Sequence, residues 1–360
     1  MSKTLKIGII GCGNVAFNRH VPVLNSLNTV EIVATADTDA LRLKKIADKF
    51  NIKKNFHRYA DLLNESDIDA VGVFVPLEAH FEIAMAVLQA DKHLLLEKPL
   101  CMSMEEANIL IDQAEKTSKK AMLGLNRRWH RLIRRAKDTI SQNKLGPIHL
   151  VNIVSSRCQN LNTIPEWRLK RQKGGGNLIE NGTHFYDLWR FLLEDEIEEV
   201  NVVSSPSIHS DDEPSIINAR TKKGILLNCV MSDFLPNKEE MEFLGEKYVL
   251  SLSQHCFDGF KLMKAGSCSG DISSRFQRIA RFFKELPNGI RNYRYGGEYS
   301  ISFRNMWQHF IDCVQHDRPV ECSLNEGKKA LQIALAVVES ASTQSYVKVD
   351  EVGCTRLGRK

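Results

Sequence analysis

Residues 5–16 read Leu-Lys-Ile-Gly-Ile-Ile-Gly-Cys-Gly-Asn-Val-Ala. An apolar, β-branched run from Leu5 to Ile10 ends in Gly11-x-Gly13-x-x-Ala16, and helix-forming residues follow at once. In a dinucleotide-binding turn each small residue has a physical reason. Gly11 permits the tight turn, Gly13 lets the backbone approach a pyrophosphate, and Ala16 lets the helix pack closely on its strand. Asn14 and Val15 complete the turn, where the unpaired N–H groups of the helix start would face phosphate. The next strand ends at Asp37, 21 residues after Ala16, where a carboxylate accepts hydrogen bonds from ribose hydroxyls. Asp37 and Asp39 would repel a 2′-phosphate and Thr38 stands where an arginine would clamp one, so NAD is expected over NADP, with Arg42 the opposing signal.

Outward from this turn, the first 124 residues alternate short strands with helices, the pattern of βαβ units and a doubly wound parallel sheet. Strands are expected at Leu5–Ile10, Glu31–Ala36, Ala70–Val75, His93–Leu96 and Ala121–Gly124, with helices at Val15–Leu27, Ala40–Phe50, Glu78–Ala90 and Ser103–Thr117. The central strands are nearly unbroken apolar runs, so both faces of the sheet are covered. A second, α+β domain spans 125–349. It opens with a basic helix from Asn126 to about Gln142 and continues through a strand at Ile148–Ser155 and a helix at Thr183–Leu193. Strands follow around Val200–Val203, Ile216–Arg220, Ile225–Met231 and Tyr248–Leu252, then helices at Ile272–Lys284, Phe303–His316 and Asn325–Thr343. Residues 350–360 read as a polar tail.

Composition narrows the function. The 360 residues are 43% apolar and 26% charged, with net charge +5, ordinary values for a folded chain of about two domains. That surplus attracts small anions mildly but is no nucleic-acid footprint. No apolar run approaches the roughly 20 residues that span a bilayer, and the N-terminus carries no export signal, so no membrane partner is expected. Nine scattered cysteines without a Cys-x-x-Cys pair read as reduced, cytoplasmic thiols. No metal is expected, because neither His255-Cys256 nor His309 with Cys313 is completed to four ligands.

Glu97-Lys98-Pro99 sits at the carboxyl end of the strand His93–Leu96, where open α/β sheets place ligands. Taken with the glycine-rich turn, Pro76 followed by His80, and Gly174-Gly-Gly-Asn-Leu-Ile-Glu-Asn-Gly-Thr-His184-Phe-Tyr-Asp187, this resembles the Gfo/Idh/MocA family of NAD(P)-dependent oxidoreductases over nearly the whole chain. The resemblance implies a Rossmann domain followed by an α+β domain with a large, mostly antiparallel open sheet that binds substrate and forms a homo-oligomer, a dimer or tetramer. It implies hydride transfer at a secondary alcohol or ketone of a cyclic sugar, polyol or nucleotide-sugar, with or without a phosphate. Two other activities fit the same resemblance: a redox-neutral glycosidase that retains NAD, and a non-catalytic NAD(H)-responsive regulator.

By the same resemblance Lys98 lies beside nicotinamide and substrate, Pro99 is cis, and Pro76, His80 and Glu97 belong to the cofactor side. His184 is the family histidine, and Glu180 stands where many members carry aspartate. Asn126, Arg128, Trp167 and Arg168 line the substrate cleft. The residue types suit the chemistry: taking hydride from a carbinol carbon requires removing the hydroxyl proton, which a partly buried lysine or a histidine can accept. Glu180 and His184, four apart, would share one helix face. Val75 replaces a frequent threonine without closing the backbone route to the cofactor. Arg127, Arg131, Arg134 and Arg135 read as a solvated helix face. The set Arg275, Arg278, Arg281, Arg291 and Arg294 reads as a lid for an anionic substrate.

Overall fold

The computed structural model describes residues 4–205, 210–267, 272–352 and 357. The first sheet comprises β1 (Leu5–Ile10), β2 (Val30–Ala36), β3 (Lys54–Phe56), β4 (Ala70–Val73), β5 (His93–Leu96) and β6 (Ala121–Leu123). All neighbours are parallel, in the order β3-β2-β1-β4-β5-β6. The order reverses between β1 and β4, so the carboxyl ends of these strands open a crevice there. The helices of this half are α1 (Val21–Leu24), α2 (Ala40–Phe50), α3 (Tyr59–Leu63), α4 (His80–Gln89) and α5 (Met104–Glu115). Asp39 caps α2 by accepting from Leu41 and Arg42 N–H, and Ser103 caps α5 by accepting from Glu106 N–H. The helix after the glycine-rich turn differs from expectation: Ala16–His20 is wound as a π-helix before α1.

The second sheet runs β13-β12-β11-β7-β10-β9-β8-β14. Its strands are β7 (Ile148–Cys158), β8 (Ile197–Ser204), β9 (Ser215–Thr221), β10 (Leu226–Ser232), β11 (Phe234–Gly245), β12 (Tyr248–Leu252), β13 (Phe260–Lys264) and β14 (Val347–Lys348). Only β7 and β10 pair in parallel. Burial alternates at every residue of β9, which marks a sheet with one face on the core and one open. The remaining helices are α6 (Arg131–Ser141), α7 (Glu166–Leu169), α8 (Asn177–Glu180), α9 (Gly182–Leu193), α10 (Ile272–Arg294), α11 (Glu298–Gln315) and α12 (Leu324–Thr343).

Three expectations are corrected here. The helix foreseen from Asn126 is broken: Asn126–Trp129 forms a 3₁₀ turn, His130 is extended, and its ring caps α6 by accepting from Leu132 N–H. The tail is not wholly polar, because Val352 and Leu357 are apolar and buried, and Leu357 N–H donates to Met102 O at 2.7 Å. The arginines after Asn126 are no solvated face. Arg127 and Arg128 are buried, while Arg131 and Arg135 each donate to Glu285 at 2.8 Å and Arg134 to Glu321 at 2.8 Å.

Arg128 ties the second domain together. Its guanidinium donates to both Asp187 oxygens of α9, at 2.9 and 2.5 Å, and to Glu326 of α12 at 2.7 Å. Breaking a buried pair from one side leaves an uncompensated charge, so Asp187→Ala is expected to cost about 3–5 kcal/mol. Glu326 is partly exposed, so Glu326→Ala should cost clearly less. Denaturant midpoints of the two variants check the order.

Candidate active site

The glycine-rich turn behaves as its spacing requires. Gly11 has φ +91°, and a Cβ there would stand 2.3 Å from the Phe74 carbonyl oxygen, so the turn crosses β4 at a distance only glycine allows. A Cβ on Gly13 would meet nothing within 4 Å, which leaves the turn open above for a pyrophosphate. Ala16 is buried, whereas Asn14 is exposed and Val15 half-buried. Asp37 accepts Cys12 N–H at 2.6 Å and Asp39 N–H at 2.8 Å, which fixes its carboxylate against the turn. Arg42 is paired with Asp39 at 3.3 Å, which engages it away from a 2′-phosphate.

At the carboxyl end of β5, the Lys98–Pro99 peptide is cis, as expected. The Lys98 side chain is nearly buried, and its Nζ donates to the Glu180 main-chain carbonyl at 2.7 Å, with Glu180 Oε1 at 3.7 Å. Burial pushes the Lys98 ammonium below its ordinary pKa; Glu180 and Glu97 pull the other way, while Arg168 and Arg157 add to the fall. Burial alone would raise Glu180, but Lys98 and Arg168 hold its pKa down at about 2. The Arg168 Nε donates to Glu180 Oε2. Glu180 therefore pairs with Lys98 and Arg168, and among the described residues no hydrogen bond joins it to His184.

His184 opens α9. Burial drives its pKa well below the usual histidine value, and the charges of Lys98, Arg127 and Arg157 reinforce this. Its Nδ1 is buried and has no hydrogen-bond partner among the described residues. A neutral imidazole and a lysine of depressed pKa thus stand within each other's electrostatic reach beside the crevice, two groups of the kind that can accept a hydroxyl proton.

Several residues expected at the cofactor or substrate are also held by bonds within the protein. His80 is buried, its Nδ1 at 2.7 Å from Pro99 O and its Nε2 at 2.9 Å from Val75 O, so it ties the β4 and β5 loops together. Burial lowers its pKa, and a neutral ring donates to only one of the two carbonyls. Glu97 is likewise buried: one oxygen contacts His20 Nε2 at 2.8 Å and the other accepts Lys98 N–H at 3.1 Å. Pro76 is exposed at the loop edge. Asn126 donates to Ser302 Oγ at 3.0 Å, and Arg128 donates to Asp187 and Glu326, so both residues tie the scaffold together. Trp167 is half-buried, and a Cβ on Gly175 would lie 2.2 Å from its carbonyl oxygen. The Gly174–Gly176 loop is thereby pressed against Trp167 and Arg168 and shapes the site.

Three further residues join the site's surroundings. Arg157 donates to Asp233 at 2.8 Å, and Arg127 faces Glu239 at 3.4 Å and lies over the Phe185 ring. His20 stacks on Phe74 and accepts from Trp307 Nε1–H at 3.0 Å. No motif marks these positions, and their partners are far away in the chain. The lid for an anionic substrate stays an expectation: among the described residues no α10 arginine makes a hydrogen bond or ion pair to Lys98, Glu180 or His184. Among the described residues Cys12, Cys158, Cys229, Cys256, Cys313 and Cys322 form no disulfide, while Cys268 and Cys354 lie outside the described residues. Among the described residues no group of three His, Cys, Asp or Glu converges as metal ligands.

Comparison with known proteins agrees with this geometry. The model of the oxidoreductase family with an NAD-binding Rossmann fold matches residues 5–125, and that of its C-terminal alpha/beta domain matches residues 137–349. The chain belongs to the Gfo/Idh/MocA family. It is 24% identical to a myo-inositol 2-dehydrogenase of Thermotoga maritima over 97% of this chain and 99% of that protein. It is 29% identical to a glucose-6-phosphate 3-dehydrogenase of Bacillus subtilis over 96% and 99%. A dehydrogenase of Bordetella pertussis solved with NADH and UDP-GlcNAcA shares the fold, with TM-score 0.79, 18% identity and coverage of 96% and 98%. The cofactor of the family's Rossmann domain is NAD, and Gly11, Gly13 and Asp37 are arranged to hold it.

Asp37→Ala removes a charged hydrogen-bond acceptor at the ribose position and should weaken NADH binding by roughly 10- to 100-fold. Fluorescence titration of NADH measures this directly.

Proposed function

We propose that this protein is an NAD-dependent oxidoreductase transferring hydride between nicotinamide and a CH–OH carbon of a cyclic sugar, polyol or nucleotide-sugar. Residues 1–124 hold the cofactor and residues 125–349 bind substrate and build the oligomer. The observation that carries this reading is the Lys98 amine: nearly buried, depressed in pKa and held at 2.7 Å by the Glu180 carbonyl at the carboxyl end of β5. NAD, when bound, supplies the hydride-accepting ring. Lys98 in its neutral form takes the hydroxyl proton, with one N–H anchored on Glu180 O so that the lone pair keeps one direction. His184, free of competing hydrogen bonds at Nδ1, shares the proton. Arg168 keeps the Glu180 carboxylate ionised and turned, a positioning role. The named dehydrogenase relatives act on inositol and on glucose 6-phosphate, which supports an alcohol substrate on a ring.

The first assay follows NADH absorbance with polyols, free sugars, sugar phosphates and nucleotide-sugars. Lys98→Met is expected to lower turnover by about 10²-fold or more while NADH affinity stays within about twofold. Alcohol oxidation needs the neutral amine, so the rate should rise with pH through the Lys98 pKa, and this limb should lie below the ordinary lysine value of about 10.4. Loss of that limb in Lys98→Met checks the assignment. Sugar release without NADH accumulation would instead support the redox-neutral glycosidase, and tight NADH binding without turnover the regulator.

The open face of the second sheet exposes Val203, Ile216 and Leu226, and we assign it to subunit contact. Sedimentation of the purified protein should give a dimer or tetramer, and a monomer mass contradicts the assignment.

A further inference from the structure

The amphipathic helix α10 is mounted with its apolar stripe outward. Its inner side is held by Glu285, the acceptor of Arg131 and Arg135 at 2.8 Å, by Phe282 against Phe257 at 5.5 Å, and by Gly289, where a Cβ would stand 3.1 Å from the Phe257 ring. The outer side carries Ile272, Phe276, Ile279, Phe283, Ile290 and Tyr293, which are 74, 69, 57, 65, 65 and 93% exposed. A surface helix normally buries such a stripe against its own domain. Arg275, Lys284, Arg291 and Arg294 are exposed around it.

The charge is as unevenly placed as the apolar surface. Arg275, Arg278, Arg281, Lys284, Arg291 and Arg294 stand against Glu285 alone in α10, which gives the helix +5, the surplus of the entire chain. The rest of the protein is balanced. That single carboxylate is buried, so the exposed side of α10 carries no negative group. Two copies meeting stripe to stripe would set +5 against +5 with nothing to offset it, whereas an anionic surface meets both properties at once.

We propose that α10 docks this protein on the surface of a bilayer containing anionic lipid, with its aromatic and aliphatic stripe in the headgroup boundary and its arginines and lysine on lipid phosphates. Helices that lie in the interface plane have this construction, one apolar face rich in Phe and Leu bordered by Lys and Arg. At 23 residues α10 is about 35 Å long, enough to lie along the surface. No helix among the described residues is long and apolar enough to cross a membrane, and docking requires none.

The test floats the full-length protein with vesicles of phosphatidylcholine alone or of phosphatidylcholine with phosphatidylglycerol. The protein should float with the anionic vesicles only, and less as salt rises. The double variant Lys284→Gln, Arg291→Gln should weaken binding about 30-fold, and Phe283→Ser about tenfold or more. Thermal melting and NADH binding confirm that both variants remain folded. Absence of flotation, equal flotation with neutral vesicles, or flotation indifferent to both variants overturns the proposal. A drop in sedimentation mass on Phe283→Ser also overturns it, because the stripe is then a contact between subunits.

Discussion

The hydrogen bond from Lys98 Nζ to the Glu180 carbonyl joins the two halves of the chain at the place where the chemistry is proposed. Its donor hangs from the carboxyl end of a parallel strand, and its acceptor ends the short helix α8, where the last carbonyls have no partner within the helix. Because the contact uses main chain, any residue at 180 supplies it. The glutamate in place of the family's frequent aspartate therefore lengthens a side chain without moving the atom that holds the lysine. The longer side chain instead reaches Arg168, and this pairing brings the Trp167–Arg168 turn and the Gly174–Gly176 loop against the crevice.

A second chain of donors fixes the lysine from behind. Tryptophan N–H only donates, so Trp307 makes His20 Nδ1 an acceptor, and the ring proton must then sit on Nε2 and point to Glu97. The other oxygen of Glu97 accepts the Lys98 N–H. Each link lies on a different element: α11, the π-wound turn after the glycine-rich loop, and the end of β5. The C-terminal helices thus return to the Rossmann sheet and complete its site, which a division of the chain at residue 124 conceals. His80 acts similarly between the β4 and β5 loops. The groups at the crevice are thus pre-set by hydrogen-bonded rings together with the buried Glu97 carboxylate and the Arg168–Glu180 pair.

What was legible in the sequence was periodic or local. The alternation of β-branched runs and 3.6-residue stripes located every central strand of the first sheet within about two residues. The glycine spacing with Asp37, and the Glu97-Lys98-Pro99 step, located the crevice. Strand β11 escaped because its outer half, from Leu235 to Glu239, is mostly polar, and its register is set by the neighbouring β7. Strand β3 is three residues long at a sheet edge, too short for a pattern. The buried charges escaped for another reason. Arg127 finds Glu239 112 positions away, and Arg128 finds Glu326 198 away, so nothing local tells a paired arginine from a solvated one.

The orientation of α10 shows the same limit from the opposite side. An amphipathic stripe ordinarily says which face of a helix turns inward, because burying it removes apolar surface from water. Here two arginines of α6 converge on Glu285, and leaving that cluster unpaired and buried would cost several kcal/mol. The polar anchor therefore chooses the inner face, and the apolar stripe is left outside with the basic residues around it. An exposed apolar stripe of this length marks a surface that another one covers. The sign of the charges bordering it then selects the cover, since every exposed ionic group on the helix is positive.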